Sequence, residues 1–446
     1  MNEWCELDKK HFIHPTSSIQ QQQEKGPKVI MESGEGIYLK DIHGKTYMDA
    51  MSSLWNVHIG HGREELAIAA AEQMKTLAFS SAFSTFSHKP GIKLAEKIAS
   101  LAPENLNAVF FTSGGSESND TAIKLVHHYW RIQNRPNRRK IIALKRSYHG
   151  VAAASTSATG IPEFWDMAGT TIEGFSHAAS TYRSNTESAI SALREKIEAE
   201  GPETVGAFIA EPVQGAGGVL IPPEGYFKEI RNLCDEYGIL FVADEVITGF
   251  GRTGRMFGIE NWNTVPDMIT FAKGVTSGYA PLGGVLVSDA IHEVFKLKSK
   301  GTLFHGFTYS GHPTAAAVAL KNLDIIESEG LVDHSHRMGK KLLKGFKKLK
   351  DEINIVGDVR AVGLLGAVEL VKNSETNEKF PQDLKVAPRV IEALHERGVI
   401  CRAVTYEGID IICFAPPLII NEGQIDELLT KLEESILEVK NDLVVR

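Results

Sequence analysis

The chain has 446 residues, a net charge of −8 and 43% hydrophobic residues, long enough for two domains and ordinary for a globular protein. The acidic balance argues against a nucleic-acid surface, and no apolar run approaches a membrane span. Four cysteines without close pairing (Cys5, Cys234, Cys401, Cys413) and an N-terminus lacking a signal-peptide core suit a reduced, cytoplasmic setting.

Residues 1–30 read as a polar arm with a glutamine run at 20–23. Segments 37–41 and 46–49, joined through His43-Gly44-Lys45, predict a hairpin. Gly44-Lys45-Thr46 is no P-loop, because the required first glycine falls at Leu39. A loop rich in glycine and aromatics follows, holding Trp55, His58 and His61; this His-x-x-His pair has no third ligand, so loop packing is expected rather than a metal. Segments 63–77 and 91–101 predict amphipathic helices.

Asn107–Thr112 predicts a strand, and Ser113-Gly114-Gly115-Ser116 a turn into a helix bearing Ala122, Ile123, Val126, Tyr129 and Trp130 on one face. Such a junction presents backbone N–H groups and the positive end of a helix to a phosphate. A strand at 140–144 leads to Ser147-Tyr148-His149-Gly150, and another at 206–209 ends in Glu211-Pro212. After a helix near 227–237, Leu240–Ala243 stops on Asp244-Glu245, and Met268–Ala272 stops on Lys273. Short apolar runs of this kind are strands buried on both faces, and open α/β sheets bind ligands at their carboxyl ends. The alternation predicts a doubly wound, mostly parallel sheet.

A helix at 314–329 leaves the large unit. Beyond it, Arg337–Glu352 carries Leu342, Leu343, Phe346 and Leu349 at helical spacing, with its lysines on the solvated side. Strands at 353–356, 363–370, 399–403 and 409–414 and helices at 387–397 and the C-terminus predict a smaller α/β unit. The expected division is 1–60 (arm and hairpin, packed with the small domain), 61–329 (large domain) and 330–446 (small domain).

A phosphate turn, an aromatic residue, a carboxylate and a lysine at strand ends match the needs of pyridoxal phosphate. Lys273 can form the Schiff base, Asp244 can hold the pyridine nitrogen protonated, Gly115 and Ser116 can donate to the phosphate, and Tyr148 can stack on the ring. The motifs LWNVHIGHG, SGGSESND, SYHG, EPVQGAGG, ADEVITGFGRTG, TFAKGVTSGYAPLGG, HGFTYSGHP and CFAPPL resemble, in order, those of the class III aminotransferases. The resemblance implies fold type I, with Lys273 catalytic and Gly115, Ser116, Tyr148 and Asp244 on the cofactor. It adds Val246 on the opposite cofactor face, Glu211 supporting the site, and Thr308 reaching the phosphate of a neighbouring subunit. A homodimer with active sites at its interface is therefore expected, with pairing into tetramers left open and no metal.

The ornithine and 4-aminobutyrate branch carries Gln, Glu and Arg where this chain has Ile247, Ala216 and Cys413. Arg402 instead resembles the mobile arginine of the ω-amino acid:pyruvate (β-alanine or taurine) and amine:pyruvate transaminases, and Trp55 their aromatic pocket wall. The expected partners are an amino donor and a 2-oxo acid, with pyruvate as acceptor; diaminopelargonate aminotransferase is the alternative.

Overall fold

The computed structural model describes residues 3–444; the first two residues of the expected arm and the last two of the expected small domain lie outside them. After two short helices, Glu3–His11 and Ile19–Lys25, the chain forms β1 (Met31–Glu35), β2 (Tyr38–Asp41) and β3 (Thr46–Asp49). The β2–β3 hairpin pairs Tyr38 with Met48. Its turn is fixed by Asp41, whose Oδ1 accepts from the N–H groups of His43 and Lys45, each at 2.9 Å.

The central sheet contains β4 (Leu106–Thr112), β5 (Lys140–Leu144), β6 (Phe175–Ala178), β7 (Val205–Ala210), β8 (Leu240–Asp244), β9 (Met268–Phe271) and β10 (Gly283–Ser288). Their order is β4-β10-β9-β8-β7-β5-β6. The neighbours from β9 to β6 are parallel, whereas β10 runs antiparallel to both β4 and β9. Every residue of β7 through β10 is buried, as a sheet covered on both faces requires.

Alternation sorts these side chains into two cores. Ile141, Ala143, Ala207, Ile209, Leu240, Val242 and Met268 pack with Ala122, Ile123 and Val126 of the helix Gly115–Ile132. Ile142, Leu144, Phe208, Phe241, Ile269 and Phe271 join the core on the other side. Asp244 and Thr270 continue the first set, so both lie on the face covered by that helix.

The C-terminal part forms β11 (Val356–Val362), β12 (Leu365–Leu370), β13 (Val399–Ile400), β14 (Arg402–Tyr406) and β15 (Ile409–Phe414). A strand expected at 353–356 instead begins where that segment ends, because Ile353 closes the helix Leu331–Glu352. The single strand expected over 399–403 is two. β13 runs parallel to β3, pairing Val399 with Met48, while β14 is the edge of the sheet β11-β12-β15-β14. The chain changes sheets at buried Cys401, and the C-terminal part thereby completes the arm's sheet. The lysine-rich helix buries Leu342, Phe346 and Leu349, and its Lys341 pairs at the surface with Asp426 at 2.8 Å. Among the described residues no helix is long and apolar enough to cross a membrane.

Candidate active site

The carboxyl ends of β7, β8 and β9 deliver Glu211, Asp244 and Lys273 to one region, as strands that run parallel must. Asp244 is 2% exposed and heavily engaged. Its Oδ1 accepts from Val246 N at 3.0 Å. Its Oδ2 accepts from Asn119 Nδ2 and from His149 Nδ1, each at 2.7 Å. Asn119 is fixed in turn: its Nδ2 also donates to His149 O at 2.6 Å, and its Oδ1 accepts from Thr270 Oγ1 at 2.8 Å. One carboxylate is thus oriented by a helix residue and by a histidine beyond β5, and an oriented buried carboxylate can hold a cation opposite it.

Lys273 lies two residues beyond β9 with φ +47°. A lysine in this region of backbone space costs about 1–3 kcal/mol, and such strain marks functional sites. No hydrogen bond or ion pair engages its Nζ among the described residues. Burial pulls its ammonium below the usual lysine range, against the nearby charges of Asp244 and Glu211, and Arg402 lowers it further. Glu211 accepts from Tyr148 N and Gly215 N, each at 2.9 Å. Burial pushes its carboxyl up to about 7, opposed by His149 and reinforced by Asp244. The Tyr148 phenol is raised by burial and by these same carboxylates, while Arg402 opposes the shift. Arg402, first residue of β14, therefore stands close enough for its charge to bear on both Lys273 and Tyr148. Its guanidinium has no hydrogen-bonding or ionic partner among the described residues.

Gly115 opens the helix Gly115–Ile132, whose first-turn N–H groups lack intrahelical partners. A Cβ on Gly115 would come within 2.8 Å of Val246 Cγ1, so only glycine lets this turn sit against Val246. Ser116 Oγ accepts from Val151 N at 3.1 Å, tying the turn to the segment after Tyr148.

Two expected residues remain, Thr308 and Trp55. Thr308 is exposed on the surface beside Tyr309 and Phe304, which are 59% and 93% exposed. Trp55 is 2% exposed and belongs to an apolar cluster with Met51, Val213, Ile247 and Cys413. Ser52, Ser53 and Trp55 itself all take positive φ in this segment. His58 and His61 take different partners. His58 Nδ1 meets Phe250 O at 3.0 Å, and His61 Nε2 meets Asp49 Oδ2 at 2.8 Å. No metal-holding cluster occurs among the described residues. Sequence reading missed Asn119 and His149, both named within quoted motifs but with no role until helix and strand register bring them to Asp244.

The donor set fits pyridoxal phosphate. Unpaired N–H groups beside two small residues suit a phosphate, a buried oriented carboxylate suits a protonated pyridine nitrogen, and an unpaired lysine suits an aldehyde. The aminotransferase class-III family model matches residues 19–436. The putrescine–pyruvate aminotransferase of Pseudomonas aeruginosa is 43% identical over 439 residues, covering 96% of this chain and 94% of the relative. A transaminase from the marine bacterium Virgibacillus is 69% identical with TM-score 0.98, over 99% of this chain and 100% of that one. The omega transaminase of Pseudomonas jessenii in complex with PMP is 39% identical with TM-score 0.95, over 99% of each chain. The chain belongs to the class III aminotransferases, pyridoxal-phosphate-dependent enzymes of fold type I.

Proposed function

We propose that this enzyme transfers an amino group from a primary amine or ω-amino acid to pyruvate, with Arg402 receiving the carboxylate of whichever substrate carries one. The observation that carries this reading is the unpaired guanidinium, near enough for its charge to act on Lys273 and Tyr148. A free arginine beside a reactive amine suits a carboxylate bound bidentately, and leaves the site usable by an amine that has none. The Pseudomonas aeruginosa relative, named for putrescine and pyruvate, and the omega transaminase favour this reading over diaminopelargonate synthesis.

Pyridoxal phosphate, when bound, supplies an aldehyde that exchanges amines and a pyridinium ring that withdraws electrons. In this reading Lys273, with its lowered pKa, moves a proton between its Nζ and the donor or acceptor carbon. Asp244, held by Asn119 and His149, keeps a proton on the ring nitrogen by charge. Tyr148 and Val246 would hold the two ring faces and the Gly115–Ser116 turn would receive the phosphate, while Glu211 fixes the Tyr148 backbone. Trp55 shapes the substrate pocket from behind.

The same reading makes the exposed face around Thr308 a homodimer interface. Phe304 and Tyr309 lie beside Thr308, and Phe79 packs on Tyr309 with ring centroids 6.1 Å apart. Thr308 would there reach the partner's phosphate. The arm (1–60), cofactor domain (61–329) and small domain (330–446), and a cytoplasmic location suited to four free cysteines, complete the proposal.

Arg402→Ala should cost about 1.5–3 kcal/mol in kcat/KM for pyruvate, the worth of a charge-assisted pair. The half-reaction with an uncharged amine such as 1-phenylethylamine should change little. Stopped-flow measurement of the two half-reactions reads both; equal losses would make Arg402 structural.

A further inference from the structure

Arg146 is 2% exposed, sits two residues before Tyr148, and has φ +66°. Its guanidinium lies between two rings, 4.3 Å from the centroid of Tyr182 and 4.6 Å from that of Tyr406. One nitrogen, Nη2, donates to Gly217 O at 3.0 Å. Nε and Nη1 are buried without a hydrogen-bond partner. The nearby acid does not bond it: Glu369 is held by Tyr182 Oη at 2.8 Å, Arg183 at 2.7 Å and Arg360 at 3.2 Å. Burial lowers the Arg146 pKa and the neighbouring Arg360 lowers it further, while Tyr182, Tyr406 and Glu369 oppose the shift.

A buried cation with two unmet donors is costly, and the faces of two aromatic rings are its main compensation. The arrangement spans two parts of the chain. Arg146 and Tyr182 follow β5 and β6 of the central sheet, whereas Tyr406 ends β14 of the C-terminal sheet. β14 is an edge strand on which only Tyr406 is buried. Alternation places Arg402, Val404 and Tyr406 on one face, with Arg402 roughly 13 Å along the strand.

We propose that Arg146 is a positioning residue that grips β14 at Tyr406 and so fixes Arg402 relative to Tyr148, setting how well the site takes a carboxylate-bearing substrate. This rests on the reading of Arg402 given above. The planar, delocalised guanidinium suits the task because it meets two rings at once and is more weakly hydrated than a lysine ammonium. The specificity of the site would then depend on a contact made outside the substrate pocket.

The test varies the ring at position 406 and measures both half-reactions. Tyr406→Phe keeps a π face and should leave the pyruvate KM within about twofold of the parent. Phenylalanines of increasing fluorine content at 406 drain that face at nearly constant size, and should raise the KM stepwise to about tenfold. Tyr406→Leu should show the full rise. The half-reaction with 1-phenylethylamine should move by less than about twofold throughout. In the cofactor-free protein, Tyr406→Leu should also speed amide hydrogen exchange in residues 402–406 while leaving β12 and β15 protected.

A flat fluorine series, equal losses for both substrates, or unchanged exchange at 402–406 would overturn the proposal. If Tyr406→Leu does not fold, the fluorinated series still decides, because it preserves shape. Arg402→Ala run in parallel separates the two ideas. Should it leave the pyruvate KM unchanged, the carboxylate reading itself falls; should it raise KM while the 406 series stays flat, only the positioning role falls.

Discussion

The two ends of the central sheet use the same residue types in opposite ways. At the amino ends, Arg231 pairs with Asp267 and Asp235, both at 2.8 Å, and Asp267 also accepts from Phe241 N at 2.7 Å. Burial, which lowers the Arg231 pKa, is outweighed by these acids, and the guanidinium is held above its usual range. At the carboxyl ends, Lys273 has two acids close enough to oppose its shift, yet burial prevails and no acid bonds its Nζ. The first arrangement completes its ion pairs and strengthens the fold. The second leaves an amine and a guanidinium uncommitted at some energetic cost, which is what a site must do if a ligand is to complete it.

The comparison breaks most sharply at Lys273. Lys273→Ala should remove turnover by about 10,000-fold or more, since both amine exchange and proton transfer are assigned to it. Steady-state assay of alanine formed from pyruvate checks this. Asp244→Asn should keep the fold but cost roughly 2–4 kcal/mol in the barrier, about 30- to 1,000-fold in rate. A variant within threefold of the parent, about 0.7 kcal/mol, would show that charge at this strand end does not matter. Asp267→Asn, at the other end, should do the reverse. It should lower stability by about 1–3 kcal/mol in urea unfolding while changing kcat by less than about twofold.

The finest comparison is between adjacent acids. Alternation turns Glu245 to the face opposite Asp244, where it accepts from Thr248 Oγ1, from Gly258 N at 2.8 Å and from Ile259 N at 2.7 Å. Burial nevertheless pushes its carboxyl up to about 7, against those three donors. A raised acid pKa contributes stability that is complete below about pH 4.5 and is lost as pH rises through about 7. Glu245→Gln removes that titration. The Tm of the parent minus that of the variant should therefore fall between pH 4.5 and 8, with kcat little changed.

Much of this layout was legible because β8 and β9 are apolar runs that stop abruptly on Asp244 and Lys273. A charge inside a buried strand is costly unless it is paired, so an apolar run that stops on a charged residue marks a strand end. The turn at Gly115–Ser116 was legible for the same reason, as a break between two periodic patterns. Asn119 and His149 were not, because their meaning depends on which helix face meets which strand face. The division at Cys401 was hidden too. Residues 399–403 form an unbroken strand-like run, and only pairing to β3 on one side and β15 on the other splits it.

Every role proposed for the site depends on Lys273 being the residue whose amine the cofactor engages. Borohydride reduction of the reconstituted enzyme, followed by peptide mapping, tests it directly. Cofactor should be fixed on the peptide containing Lys273, and none should be fixed in Lys273→Ala. Stoichiometric fixation on any other lysine, with Lys273 unmodified, would contradict it.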